Sequence, residues 1–288
     1  MQTVIYVIIA VIGFTTFEPV SKLITDSVSS LSITGIRFLL GGIMLFPLAY
    51  ADIKRKNISL TIKDIGILGA LGILCICISM LSLQYAVKLA PSPAVIAIIF
   101  SVNSITTLIL ATFVLKEKIT LFKTLATVFC VIGIAIMFDP KAGANAISIV
   151  FALIAAVTFS IFTVLSKKVN LRLSPTITSA ISFFIGGLIL VVWQFATGKP
   201  IVEKIDFQVI WVIIYLAIVV TGIGYIAFFK AMEKGSAMAA SLVFFIKPIL
   251  TPFVTWIVNG IVPDWKVFLA LGLILVGSFF GLKKEKTP

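Results

Sequence analysis

Histidine is absent from the 288-residue chain. That excludes histidine-based catalytic triads, histidine-ligated metal sites and imidazole pH sensing. Cysteine is nearly absent. Cys75, Cys77 and Cys130 all lie inside apolar runs, an odd number with no CxxC spacing. Neither a disulfide framework nor a zinc site follows from them, and they read as small packing residues. Charge is scarce as well: 12% of residues are charged, against about a quarter in soluble domains. Acidic residues number only 11. Glycine-rich phosphate loops are missing, so no internal ATPase is expected. No nucleophile–base pair stands out, and no enzyme is expected.

What fills the chain is apolar. Hydrophobic residues make up 60% of it, and the mean hydropathy is +1.22. A soluble core of this size cannot hide that much apolar surface behind so few charges. A membrane helix needs about 20 mostly apolar residues. Ten such segments are legible, at 2–21, 31–50, 65–87, 92–115, 120–138, 146–166, 175–196, 208–229, 236–258 and 266–282. Runs such as Val191–Val192–Trp193 are apolar on every side, which excludes the alternation of barrel strands. The predicted fold class is therefore an all-α integral membrane protein of ten transmembrane helices. The first span lacks a basic leader region and a cleavage site, so it reads as a span rather than a signal peptide.

The net charge of +12 comes from 23 basic residues. Most sit in short connections, without the basic stripe and interleaved aromatics of a nucleic-acid surface, so nucleic acid is not an expected partner. With the N-terminus inside, fifteen Lys and Arg fall in inner segments and six in outer ones, with Arg37 and Lys247 left within spans. The positive-inside rule then places both termini in the cytoplasm, with the protein in the cytoplasmic membrane.

Sliding the chain on itself by 145 residues aligns Phe14 with Phe159, Ser21–Lys22 with Ser166–Lys167, Gly41–Gly42 with Gly186–Gly187 and Thr106 with Thr251. The chain thus divides into two five-helix repeats, 1–142 and 143–288. Five is odd, so the second repeat enters the membrane from the opposite side. Inverted repeats of this kind are the architecture of many secondary transporters.

Polar groups inside the spans are the candidate site, because an ionisable group costs about 2.5–3.5 kcal/mol at mid-helix. Lys247 lies at the centre of its span and is flanked by Pro248 and Pro252. Each proline frees a carbonyl, so a helix break is expected there, able to hold a substrate carboxylate and ammonium together. A structural lysine paired with Glu18 or with helix carbonyls is the competing reading. Glu18 precedes Pro19, where a second helix break is expected. Glu18 reads either as the ion-pair partner of Arg37 across a short hairpin or as a proton carrier. Asn103, the counterpart of Pro248, is a candidate for lining a cavity, as are Gln84 and Tyr225. Most of the aromatic residues are expected to face lipid. Gly277 and Gly281 are too weak a motif to decide the oligomeric state.

The stretch from Ala94 through Leu115–Lys116–Glu117–Lys118–Ile119–Thr120 to Gly133, and its second-half copy from Ala239 and Ser241 through Pro248 and Thr251 to Gly277, resemble the EamA-type branch of the drug/metabolite transporter superfamily. The resemblance covers essentially the whole chain. It implies a basket-like carrier whose cavity is formed by spans 1, 3, 4, 6, 8 and 9, with no cofactor. It implies export of amino acids and related metabolites or small drugs, with phosphate-bearing sugars or lipid-linked sugars as cargo of distant relatives. Lys247 and Glu18 fall on cavity-forming spans under this mapping. Arg37 falls on span 2, which favours a structural role. Two departures stand out: Asn103 replaces a frequent proline, and Asn259–Gly260 stands where the counterpart of Glu117 belongs. Lys247 is not a general family feature, so its role rests on the chemistry alone. The expected function is a secondary transporter of small carboxylate-bearing metabolites, a probable exporter working by alternating access. The alternatives are a carrier or flippase for phosphate-bearing cargo and a non-transporting membrane scaffold.

Overall fold

A computed structural model describes residues 2–116, 146–198, 206–234 and 237–262, with isolated positions between 124 and 136 and between 265 and 276. Described residues outside turns are helical, and seven stretches are long and apolar enough to cross a membrane. They coincide with the first to fourth and sixth to eighth predicted spans. The ninth is the helix Ala237–Asn259. The fifth and tenth, with Cys130, Gly277 and Gly281, lie outside the residues described, save for isolated helical positions in those two spans.

In chain order the elements are α1 (Gln2–Thr15), α2 (Phe17–Lys22), α3 (Ser30–Lys56), α4 (Ile62–Gly72), π1 (Ile73–Met80), α5 (Leu81–Leu89), α6 (Pro93–Phe100), α7 (Val102–Leu115), α8 (Ala146–Asn170), α9 (Pro175–Ala196), α10 (Phe207–Tyr215), π2 (Leu216–Gly224), α11 (Tyr225–Lys234) and α12 (Ala237–Asn259). Local chemistry sets their ends. Ser29 caps α3 by accepting from the Ser32 amide, and Asn57 closes it in the left-handed conformation. Thr61 and Asp64 form a reciprocal capping box on α4. Pro175 opens α9 behind its Ser174 cap, at the position where a missing amide hydrogen costs nothing. The spans α4–π1–α5 and α10–π2–α11 each carry a π-helical middle, and the 145-residue offset brings the two into overlap. Wide turns of this type leave carbonyls less tightly paired and are frequent at functional sites.

The expected breaks are redistributed. α12 runs without interruption through Pro248 and Pro252, so the break predicted at Lys247 is absent. A proline removes one ladder bond but fits helical φ, and the buried turn is held by its neighbours. Thr251 Oγ1 also donates to the Lys247 carbonyl at 2.8 Å. The helix axis is interrupted instead at Ser101, between α6 and α7, where Ser101 Oγ donates to the Ala97 carbonyl at 2.8 Å. A second interruption lies at Thr16, three residues before Pro19, where Thr16 Oγ1 donates to the Gly13 carbonyl at 2.9 Å.

The most extensive helix–helix contact among the described residues is the crossing of α3 and α9, where backbones meet at glycines. A side chain on Gly42 would meet the Phe184 backbone, and one on Gly187 would meet the Leu39 backbone. One on Gly41 would meet Thr221, and one on Gly186 would meet Ile76. Each pair becomes the other under the 145-residue offset. The same exchange relates the two basic residues that close helix C-termini. Lys22 Nζ donates to the carbonyls of Val87, Lys88 and Ala90 at 3.2, 2.9 and 2.8 Å. Lys167 Nζ donates to the Met232 carbonyl at 2.8 Å. A cation is favoured where unpaired carbonyls collect. Lys22→Met is expected to lower stability by about 0.3–1 kcal/mol, read as a small drop in melting temperature in detergent.

Candidate functional site

Three charged side chains are almost completely enclosed. Relative exposure is 0% for Glu18, 1% for Arg37 and 2% for Lys247. Glu18 lies on α2, just past the interruption at Thr16. α12 delivers Lys247 from the other half of the sequence. Their head groups form a direct, hydrogen-bonded ion pair. Glu18 Oε2 makes no hydrogen bond.

The expected Glu18–Arg37 ion pair is therefore replaced by Glu18–Lys247. The hairpin argument compared depths of two adjacent spans; the lysine arrives from a distant one and its flexible stem carries a compact charge to the carboxylate. Arg37 is nonetheless part of the same site. Its guanidinium carbon lies 4.3 Å from the ring centres of both Phe17 and Phe38. Lys247 Nζ lies 5.8 Å from the centre of the Phe17 ring and 5.2 Å from that of Phe100. The two cations thus share Phe17 as a neighbour. Cation–π contact supplies part of the attraction that water no longer offers. Arg37 Nε and Nη2 make no hydrogen bond.

Between these groups is a cavity of about 20 Å³, space for about one water molecule. Arg37 and Lys247 line it, together with Phe14, Phe17, Phe100, Phe159, Phe244 and Tyr225. All of these side chains are buried. The rings pack on one another. Phe14 stacks on Phe244 at 5.6 Å, and Phe159 meets Phe244 edge-on at 5.2 Å. Rings that the composition assigns to lipid thus form the core of the site, because edge-to-face packing adds to their burial.

Of the other predicted site residues, Tyr225 reaches the cavity, and its hydroxyl donates to Met80 Sδ at 3.1 Å. Asn103 is buried behind Phe100, donating from Nδ2 to the Phe100 carbonyl at 2.6 Å, with Oδ1 unbonded. Gln84 is buried beside α2. Its Oε1 accepts from Ser21 Oγ at 2.8 Å, while Nε2 makes no hydrogen bond. Neither lines the cavity. Arg37 is the residue that sequence reasoning set aside, and its signal was plain: a lone arginine six residues inside an apolar span. Among the described residues no group of three or more Cys, Asp or Glu converges as a metal site.

Comparison with known proteins now has a geometry to explain. The sequence model of the EamA-like transporter family matches residues 1–139 and again 146–282. An uncharacterized transporter of Clostridium kluyveri is 33% identical over 98% of this chain and 93% of its own length. The uncharacterized transporter YyaM of Bacillus subtilis is 25% identical, over 83% of this chain and 78% of its own. Protein PecM of Dickeya dadantii is also 25% identical, over 77% of each chain. One solved crystal structure, 16% identical, superposes with a TM-score of 0.75 over 97% of this chain and 96% of that one, a likeness of fold. A family match on both sides of residue 140, with a relative one-third identical along nearly the full length, means that this multi-pass membrane protein belongs to the EamA-like transporter family of the drug/metabolite transporter superfamily.

Proposed function

We propose that the protein is a secondary transporter that exports small carboxylate-bearing metabolites, amino acids among them, across the cytoplasmic membrane. The observation that carries this reading is the enclosed charge cluster. Buried charges are expensive in a membrane protein and usually mark a substrate or ion path. Here Lys247 and Arg37 line a small cavity at the meeting of both halves of the sequence, and Glu18 pairs with Lys247 beside it. Ligand pockets run to about 300–1,000 Å³, far above the space present, so the small cavity fits an occluded state of an alternating-access cycle.

Residues 1–142 and 143–288 act as two oppositely oriented repeats that rock about the α3–α9 crossing. The reciprocal glycine contacts and the matched pair of capping lysines support that symmetry. Lys247, Glu18, Tyr225, Gln84 and Asn103 line the path as it opens, the last two by turning buried amide groups toward it. The interruptions at Thr16 and Ser101 supply the bending points. Both termini face the cytoplasm, following the excess of basic residues on that side.

Flux into and out of proteoliposomes tests the reading. Preloaded amino acids and organic acids are expected to exchange at least about tenfold faster than in protein-free vesicles. Replacing Lys247 with methionine should abolish that exchange. Flux of sugar phosphates without flux of carboxylates would replace this cargo with phosphate-bearing compounds. A protein that moves nothing, yet remains folded, would be a scaffold.

A further inference from the structure

We propose that Arg37 is the receptor for the substrate's anionic group, and that the substrate is a net monoanion with an apolar body, a monocarboxylate rather than a zwitterion. The inference rests on the transporter reading above and narrows its cargo to carboxylates without an ammonium group, in place of the amino acids.

Lys247 is the cation that sequence reasoning favours for the carboxylate, but it already has one. Glu18 occupies it in a direct ion pair. Arg37 is equally buried and offers two donors, Nε and Nη2, with no hydrogen-bond partner. These two atoms lie on the same edge of the guanidinium. They are the pair that grips a carboxylate with two parallel hydrogen bonds. Phe17 and Phe38, each 4.3 Å from the guanidinium carbon, take up its surroundings with apolar rings and hold the plane in place. Arg37 lines the cavity, and a buried donor without an acceptor is costly to leave so.

Charge selects among carboxylates. The cluster holds one acidic and two basic groups, an excess of one positive charge, in an environment where unpaired charge is strongly disfavoured. A monoanion neutralises it. A zwitterion brings no net charge and leaves the excess standing. Among the described residues its ammonium has one acidic seat, the unbonded Glu18 Oε2, yet that carboxylate is already balanced by Lys247.

The walls select the rest of the molecule. Phe14, Phe100, Phe159 and Phe244 line the cavity, and the one hydroxyl there, on Tyr225, is engaged by Met80 Sδ. A hydroxyl-rich body finds no donors or acceptors on those rings, whereas an apolar or aromatic one replaces ring–ring contacts with ring–ligand contacts.

Binding to the full chain in lipid nanodiscs, with three probes of one shape, tests this. The probes are 3-phenylpropionate, phenylalanine and phenethylamine. Wild type is expected to bind 3-phenylpropionate at least about tenfold more tightly than phenylalanine, and phenethylamine more weakly still. In Arg37→Met the affinity for 3-phenylpropionate should fall about tenfold to a hundredfold, the loss of charge-assisted hydrogen bonds. Arg37→Lys should fall between, keeping the charge but not the fork. Equal binding by wild type and Arg37→Met overturns the assignment. Tighter binding of phenylalanine or phenethylamine overturns the monoanion. Should Arg37→Met not fold, the probe order in wild type and in Arg37→Lys decides. Binding of none of the three, with carboxylate flux intact in proteoliposomes, overturns this inference and leaves the transporter reading standing. Loss of both removes the transporter reading itself.

Discussion

Glu18→Gln is expected to be the most damaging single change at the charge cluster, costing about 3–5 kcal/mol of stability. It leaves Lys247 and Arg37 buried together with no acidic group between them. Lys247→Met removes the other half of the pair and should cost less. Glu18 then keeps one nearby cation, since Arg37 and Lys247 both flank Phe17. The double change Glu18→Leu with Lys247→Met is expected to restore stability to the wild-type level or above, because an apolar pair of similar volume avoids the desolvation of two ions. It should nonetheless transport nothing. Denaturant or thermal unfolding in detergent, run beside vesicle flux on the three variants, checks each part. A Lys247→Met variant less stable than Glu18→Gln would mean that Arg37 does not compensate Glu18. A stable double variant that still transports would make the ion pair structural.

Gly187→Ala should be the second large effect. The added methyl group falls on the Leu39 backbone, nearer than real side-chain carbons come. Its counterpart Gly42→Ala places a methyl 2.6 Å from the Phe184 nitrogen. Side chains can rotate away from a clash; backbone in the middle of two packed helices cannot. Each change is expected to cost about 1–3 kcal/mol or more, the upper range for overpacking. Both should impair flux further if, as proposed, the two halves rock about the α3–α9 crossing. Gly66→Ala is the control. Nothing lies within 4 Å of its added carbon, so it should be neutral or stabilising by up to about 1 kcal/mol. Melting temperatures of the three variants separate close packing from helix propensity: a uniform loss across all three would overturn the crossing as the cause.

The spans were legible because their signal is local and strong. Twenty apolar residues in a row leave the chain few alternatives in a bilayer, and every backbone group is satisfied within its own segment. The cluster was half legible. Lys247 and Glu18 stood out because ionisable groups in apolar runs are rare, and the structure buries both. Their pairing was offered only as a competing reading, because span order gives depth within the membrane and says little about which helices meet. Arg37 was drawn toward a structural role by the same limitation. Pro248 and Pro252 misled for a different reason. A proline states which hydrogen bond is lost, whereas a break depends on whether the neighbouring helices leave room, and α12 continues unbroken through both of them. Ser101 and Thr16, where the axis is interrupted, carry side chains that also occur in unbroken helices.

The sequence by itself determined the solvent, the secondary structure and the short list of residues too polar for their surroundings. These follow from composition and from runs of neighbouring residues, which do not depend on how the chain returns on itself. Only the tertiary structure decided which cation Glu18 takes, that Arg37 lines the cavity with two donors unbonded, and that phenyl rings rather than lipid surround them. Those outcomes depend on contacts such as Glu18 with Lys247, 229 residues apart in the chain. The glycines at the α3–α9 crossing permit them by letting two backbones approach within a distance no other residue allows.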